Sequence, residues 1–269
     1  MKCRLLSHVT ALALALSASM LASCGQKRVD AIGSTVKVTN GTEIGPDEFP
    51  GVVLLYDAKI GSICTGSFIT ETVVLTAAHC TMGGEIDRDG DVDHELQLIE
   101  IEDNDKSKAR VVATSTRIVR NPMWDFAGRN VNRYDLGVVF FEPGVAKDIL
   151  PISSEPAKAG DDFVIVGYGL NTSSSSDPSS AGIKRMGQNK VSTVQEGFIQ
   201  FDGKSKTTNA DGTDVAAGSG DSGGPLFIEG KIAGVTSGGG WGGFGRTISL
   251  YIDLHSSTSR DFLEQFISY

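Results

Sequence analysis

The stretch of this chain with the plainest chemical potential is Gly220-Asp221-Ser222-Gly223-Gly224-Pro225. Glycines on both sides let a tight turn hold the Ser222 hydroxyl with no side chain blocking its approach. Glycine at 220 can also aim a backbone N–H into open space, where it would stabilise the oxyanion formed when a carbonyl is attacked. A serine hydroxyl is a weak nucleophile until a base takes its proton, so a base and a group to orient it are needed. His79 sits in Leu75-Thr76-Ala77-Ala78-His79-Cys80, and Asp135 enters the apolar run Leu136–Phe141. An aspartate entering such a run is costly to bury unless it is hydrogen-bonded, and the histidine ring is a suitable partner.

Gly-x-Ser-x-Gly alone also fits the strand-to-helix elbow of the α/β-hydrolases, where the acid and the histidine both follow the serine. Here only 47 residues follow Ser222, and the order is His79, Asp135, Ser222. TAAHC, the aspartate entering an apolar run, GDSGGP and an amino-terminal VTNGTEI together resemble the trypsin/chymotrypsin family of serine endopeptidases from Val38 to Tyr269. The resemblance implies that Ser222 attacks, His79 carries the proton, Asp135 orients His79, and the N–H groups of Gly220 and Ser222 bind the oxyanion. This chemistry needs no metal or organic cofactor, and its substrates are proteins or peptides.

The same resemblance implies a specificity pocket around Ala216, Ala217, Ser237, Gly238 and Gly239. Trypsin-like relatives carry an aspartate six positions before the nucleophile. Ala216 stands there, so an uncharged pocket is expected unless an insertion returns Asp214 to its base. Gly218 replaces the cysteine usual in relatives. Lys37-Val38 resembles a zymogen activation junction, whose new amine would pair with Asp221. The alternatives on the same fold are a catalytically silent, surface-tethered binding protein and an esterase.

The elements that must position these groups are short runs rich in valine, isoleucine, leucine and threonine, separated by turn residues. Strands are expected at Gly51–Tyr56, Ser62–Thr70, Thr72–Ala77, Leu96–Glu102, Thr116–Arg120 and Leu136–Phe141. Later ones are expected at Phe163–Gly169, Lys190–Val194, Gly197–Phe201, Pro225–Ile228, Lys231–Thr236 and Thr247–Ile252, with a terminal helix over Arg260–Ile267. Many short strands and one late helix argue for an all-β chain. The resemblance makes it two six-stranded β-barrel lobes of the trypsin-like type with a C-terminal helix, and a cleft between them. Residues 171–182 read as a flexible surface loop.

Asp87, Asp89, Asp91, Asp93 and Glu95 cluster around Gly90 and raise calcium as a possible ligand. EF-hand spacing fails there, which leaves a solvated acidic loop as the simpler reading, with His94 as a surface histidine.

The chain opens with basic Lys2 and Arg4, then an apolar run from Leu5 to Leu21 that fits a secretory signal. Leu21-Ala22-Ser23-Cys24 resembles the lipobox of bacterial lipoproteins, which implies a signal peptide over 1–23, lipidation of Cys24 and an anchored envelope protein. Gly25 after it resembles the outer-membrane sorting pattern; an ordinary cleaved signal and extracellular release is the alternative. Residues 24–37 read as a linker or pro-segment, and 38–269 as the protease-like domain, expected to be monomeric. Losing residues 1–23 moves the formal charge from −9 to −11, which argues against nucleic acid as a partner. Export leaves Cys64 and Cys80 in an oxidising compartment, where they are expected to pair rather than stay free thiols. The resembled family has the same pair beside its catalytic histidine.

Overall fold

Period-two burial builds the sheets. In Phe198–Lys204 the side chains of Ile199 and Phe201 turn inward while their neighbours stay half-exposed. A computed structural model describes residues 38–126, 131–171, 178–206 and 211–267. The signal segment 1–23, the linker 24–37 with Cys24 and Lys37, and the serine-rich stretch 172–177 lie outside the described residues.

The first lobe contains β1 (Val52–Asp57), β2 (Ser62–Phe68), β3 (Val73–Thr76), β4 (Gln97–Ile101), β5 (Ala109–Thr114), β6 (Arg117–Arg120) and β7 (Gly137–Phe140). They form one antiparallel sheet in the order β5-β4-β1-β2-β3-β7-β6. β5 and β6 are consecutive lengths of one strand that changes partner midway. Ser115 N–H donates to Leu96 C=O on the β4 side, and Thr116 N–H donates to Phe140 C=O at the end of β7. That change of partner curls six lengths of chain into a closed ladder.

The second lobe repeats the device. It contains β8 (Asp162–Gly167), β9 (Arg185–Lys190), β10 (Thr193–Gln195), β11 (Phe198–Lys204), β12 (Pro225–Ile228), β13 (Lys231–Gly243) and β14 (Arg246–Asp253). The order is β9-β8-β12-β13-β14-β11-β10, with Thr42–Glu43 added at the β9 edge. Val191 N–H donates to Asp161 C=O and Ser192 N–H to Gln200 C=O, so β9 and β10 are again one bent strand. The expected strand over Lys190–Val194 therefore falls on the bend. The all-β, two-lobed fold with a short late helix is the one expected.

Two apolar clusters form the core, and the first runs from the first lobe into the second through Val166, Phe227, Val235 and Ile252. Leu55, Phe68, Leu75 and Val138 centre the first, and Phe163, Phe201, Leu226 and Tyr251 the second. The carboxy-terminal helix is Ser257–Leu263, earlier than expected, because Ser256 caps it by accepting the Ser259 N–H. Its Phe262 and Leu263 join the first of these clusters, and the Phe266 ring lies 6.0 Å from Phe140.

One expectation for the acidic segment changes, and the carboxylates of Asp87 and Asp91 are tied within the segment and to its neighbours. Asp91 pairs with Arg117, which holds its carboxyl below the usual range. Asp87 Oδ1 accepts the N–H groups of Asp89 and Asp91, closing the turn at Gly90. Each of these carboxylates serves its own turn or ion pair. His94 is not a surface residue: its ring is 9% exposed, with Nε2 2.9 Å from Asp57 Oδ1. Gly83 makes room for it, since a Cβ there would lie 2.4 Å from that nitrogen.

Candidate active site

Chain geometry around β3 and β7 brings the histidine and the aspartate together. β3 ends at Thr76, and the chain turns at once through a 3-10 segment, Ala78–Thr81, that carries His79. Thr76 lies opposite Gly137 at the start of β7, so Asp135 arrives two residues before that register point. His79 Nδ1 lies 2.8 Å from Asp135 Oδ2, and the His79 backbone N–H donates to Oδ1 at 2.9 Å. A third donor comes from the other lobe, where the Ser237 hydroxyl reaches Oδ2 at 2.5 Å. Asp135 is buried, and three donors offset the cost of holding a carboxylate there. With Nδ1 turned to a carboxylate, Nε2 is left as the proton acceptor.

Two further groups fix the histidine turn. Cys80 is bonded to Cys64 of β2, across 16 residues of sequence. The buried Arg120 guanidinium donates to the C=O groups of Thr81 and Gly84, just beyond His79. Replacing both cysteines by serine is expected to remove about 3 kcal/mol of stability, read as a lower denaturant midpoint. It should also loosen the turn that carries His79.

The nucleophile loop is held from both lobes. Thr65 of β2 donates its N–H to Ser222 C=O and its hydroxyl to Gly220 C=O, at 2.8 and 2.9 Å. Gly223, with φ +80°, must be glycine: a Cβ would lie 2.0 Å from Thr76 Oγ1. Gly220 has φ +99°, and a Cβ there would lie 2.9 Å from Gly169 Cα. The N–H groups of Asp221, Gly223 and Gly224 bond to Gly218, Thr236 and Asp221 C=O. Those of Gly220 and Ser222 have no acceptor among the described residues. Two neighbouring free donors beside a hydroxyl can hold an anionic oxygen.

Asp221 lies beneath this loop, buried, with Oδ1 accepting the Gly169 N–H at 2.8 Å and Oδ2 the Gly218 N–H at 2.7 Å. Burial pushes its carboxyl up to about 6, against the pull of those N–H groups and of Arg185. Val38 packs in the second-lobe cluster, and Thr39 C=O accepts the Ala216 N–H at 3.2 Å. The amino-terminal segment is thus docked on the lobe that carries Ser222.

A cavity of about 460 Å³ opens beside Ser222. Ala217, Gly218, Gly238 and Gly239 line it, with Thr236 and Trp241, and none of the described residues that line it is charged. Two expected pocket residues sit elsewhere. Ala216 is fully buried behind the wall, tied to Thr39, and Ser237 turns its hydroxyl to Asp135. Asp214 does not return to the pocket base, because Arg246 binds it with Nη2–Oδ1 at 2.8 Å. Sequence reasoning missed Thr65, Arg120 and Trp241. Thr65 adjoins Cys64, but no local pattern marks a threonine whose partners lie more than 150 residues away.

Sequence comparison agrees with this geometry. The Trypsin family matches residues 38–260. Kallikrein-8 of Rattus norvegicus is 27% identical over 214 residues, covering 77% of this chain and 76% of that protein. Chymotrypsin-like protease VLCTLP of Macrovipera lebetinus is 25% identical, covering 78% of each chain. Trypsin 5G1 of Aedes aegypti is 27% identical, covering 79% of this chain and 78% of that protein. With that match across both lobes, the chain belongs to the trypsin family of serine proteases.

Proposed function

We propose that this protein is a serine endopeptidase acting through Ser222, His79 and Asp135 by way of an acyl-enzyme. The observation that carries the reading is the buried Asp135 on His79 Nδ1, together with free N–H groups at Gly220 and Ser222. Ser222 Oγ attacks the scissile carbonyl while His79 Nε2 takes its proton. The oxygen becomes anionic against the two N–H groups, and the proton passes from His79 to the leaving amine. Water then repeats the sequence to release the acid. A fluorophosphonate probe should label Ser222 in the folded protein, and peptides should turn over as well as simple esters. Absence of a Ser222 adduct would make it a silent binding protein, and turnover of esters alone would make it an esterase.

The cavity favours an aromatic or large aliphatic side chain before the scissile bond, since none of the described residues lining it is an anion for lysine or arginine. A peptide library should show that preference by at least about tenfold over cationic residues. Strict cleavage after lysine or arginine would refute it.

The reading extends to export and activation. A disulfide next to the base suits an oxidising compartment. The lipobox-like sequence before Cys24 supports an anchored precursor, and cutting between Lys37 and Val38 would separate the domain from that anchor. Cys64 and Cys80 are bonded to each other, so they cannot tether the two pieces.

A further inference from the structure

The β13–β14 hairpin carries two aromatic residues that neither its backbone nor its exposure favours. Gly243 pairs with Arg246, leaving Phe244 and Gly245 as a two-residue turn with φ of +47° and +77°. Such turns select asparagine, aspartate or glycine, because a Cβ at positive φ crowds the backbone. A phenylalanine there is strained, and its side chain is fully exposed; Trp241, three residues back, is 84% exposed. Glycines at 240, 242, 243 and 245 flank both rings. Rings left in water on such a frame stabilise neither hairpin nor core, and a local rule broken without structural gain marks function.

Their place in the fold says what they meet. Trp241 lines the same cavity as Ser222. β13 pairs with β12 as far as Val235 and bonds Gly223 and Gly224 through Thr236; beyond that, among the described residues, its ladder partner is β14 alone. The other side of this length of strand carries the backbone groups that an extended chain lying alongside would bond, and on the face at Gly240 a Cβ would meet nothing within 4 Å. Arg246 at the tip is bound to Asp214 and to Asp202 C=O, so that cation is turned back into the lobe while the two rings face outward.

We propose that Trp241 and Phe244 form an aromatic arm that seats an apolar side chain of the substrate polypeptide, remote from the scissile bond. This rests on the peptidase reading. The arm supplies selectivity by burying that side chain when an extended chain lies along the β13 edge. Short substrates that end near Ser222 reach at most the Trp241 end, which lines the cavity, and not Phe244.

The test uses the purified full chain and extended peptides that differ only in carrying leucine or aspartate at successive positions away from the scissile bond. The wild type should prefer leucine at one distal position by about tenfold in kcat/KM, expressed mainly in KM. Phe244→Asn, which suits the positive φ, and Trp241→Ala, at an exposed site, should each bring that ratio close to one. A ratio that is the same in wild type and both variants overturns the arm. Variants that lose binding to phosphatidylcholine vesicles while keeping the peptide ratio also overturn it, and assign the tip to lipid. Failure of fluorophosphonate to label wild-type Ser222 is a separate result, which defeats the peptidase reading on which the arm depends.

Discussion

Ser222→Ala is expected to lower kcat for peptide hydrolysis by about a millionfold while leaving the denaturation midpoint where it was. The size follows from how a catalytic triad works: its members act as one unit, so removing the nucleophile removes nearly all that the unit supplies. The fold should be untouched, because the loop is held by the Ser222 backbone. Its C=O accepts from Thr65, and the loop's remaining bonds use its neighbours. His79→Ala should cost about as much, and the double variant hardly more than either alone. Residual turnover would come from the Gly220 and Ser222 N–H groups, which survive both changes. Substantial peptide cleavage by purified Ser222→Ala protein would sink the assignment.

The second large effect is expected from cutting between Lys37 and Val38. In the continuous chain the Asp221 carboxyl is buried with two N–H donors, and burial holds it at about 6 against an ordinary value of 3.8. A carboxyl raised on folding contributes stability that is present below its unfolded value and lost as pH rises through the folded one. The uncut protein should therefore lose on the order of 3 kcal/mol from this group between about pH 4 and above pH 6. A free amine on Val38, in the lobe where it already packs, would keep Asp221 charged and remove that slope. The amine's own pKa would rise on pairing, so the cut protein should lose activity only as pH climbs past about 8. Because the Asp221 backbone adjoins both oxyanion donors, ordering them on pairing should raise kcat/KM of the cut form about a hundredfold, the effect of one well-placed oxyanion donor. Separating the membrane-bound and soluble forms, sequencing their amino termini and assaying both decides it. A fully active, lipid-bearing chain still continuous through Lys37–Val38 would end the idea.

Much of this was legible in the residues themselves. GDSGGP, TAAHC and an aspartate entering an apolar run are local patterns, because a tight turn, a strand end and a costly buried charge each leave a mark on neighbouring residues. Pro225–Ile228 and most first-lobe strands could be read from their β-branched runs for the same reason. The cysteine pair followed from export and from the family's pattern. Other features have no local mark. Ser237 was read as pocket wall, yet it bonds Asp135 across 102 residues, a contact that exists only once the lobes meet. His94 looked like a surface histidine in an acidic loop until Gly83 and Asp57 closed over it. β13 runs on to Gly243 although glycine is a poor strand former, because pairing with β14 outweighs propensity. The sequence by itself determined which groups can react and in what order they occur. Which donors hold them, which walls face the cavity and which aromatic rings stay in water were decided by tertiary packing, since each depends on partners far away in the chain.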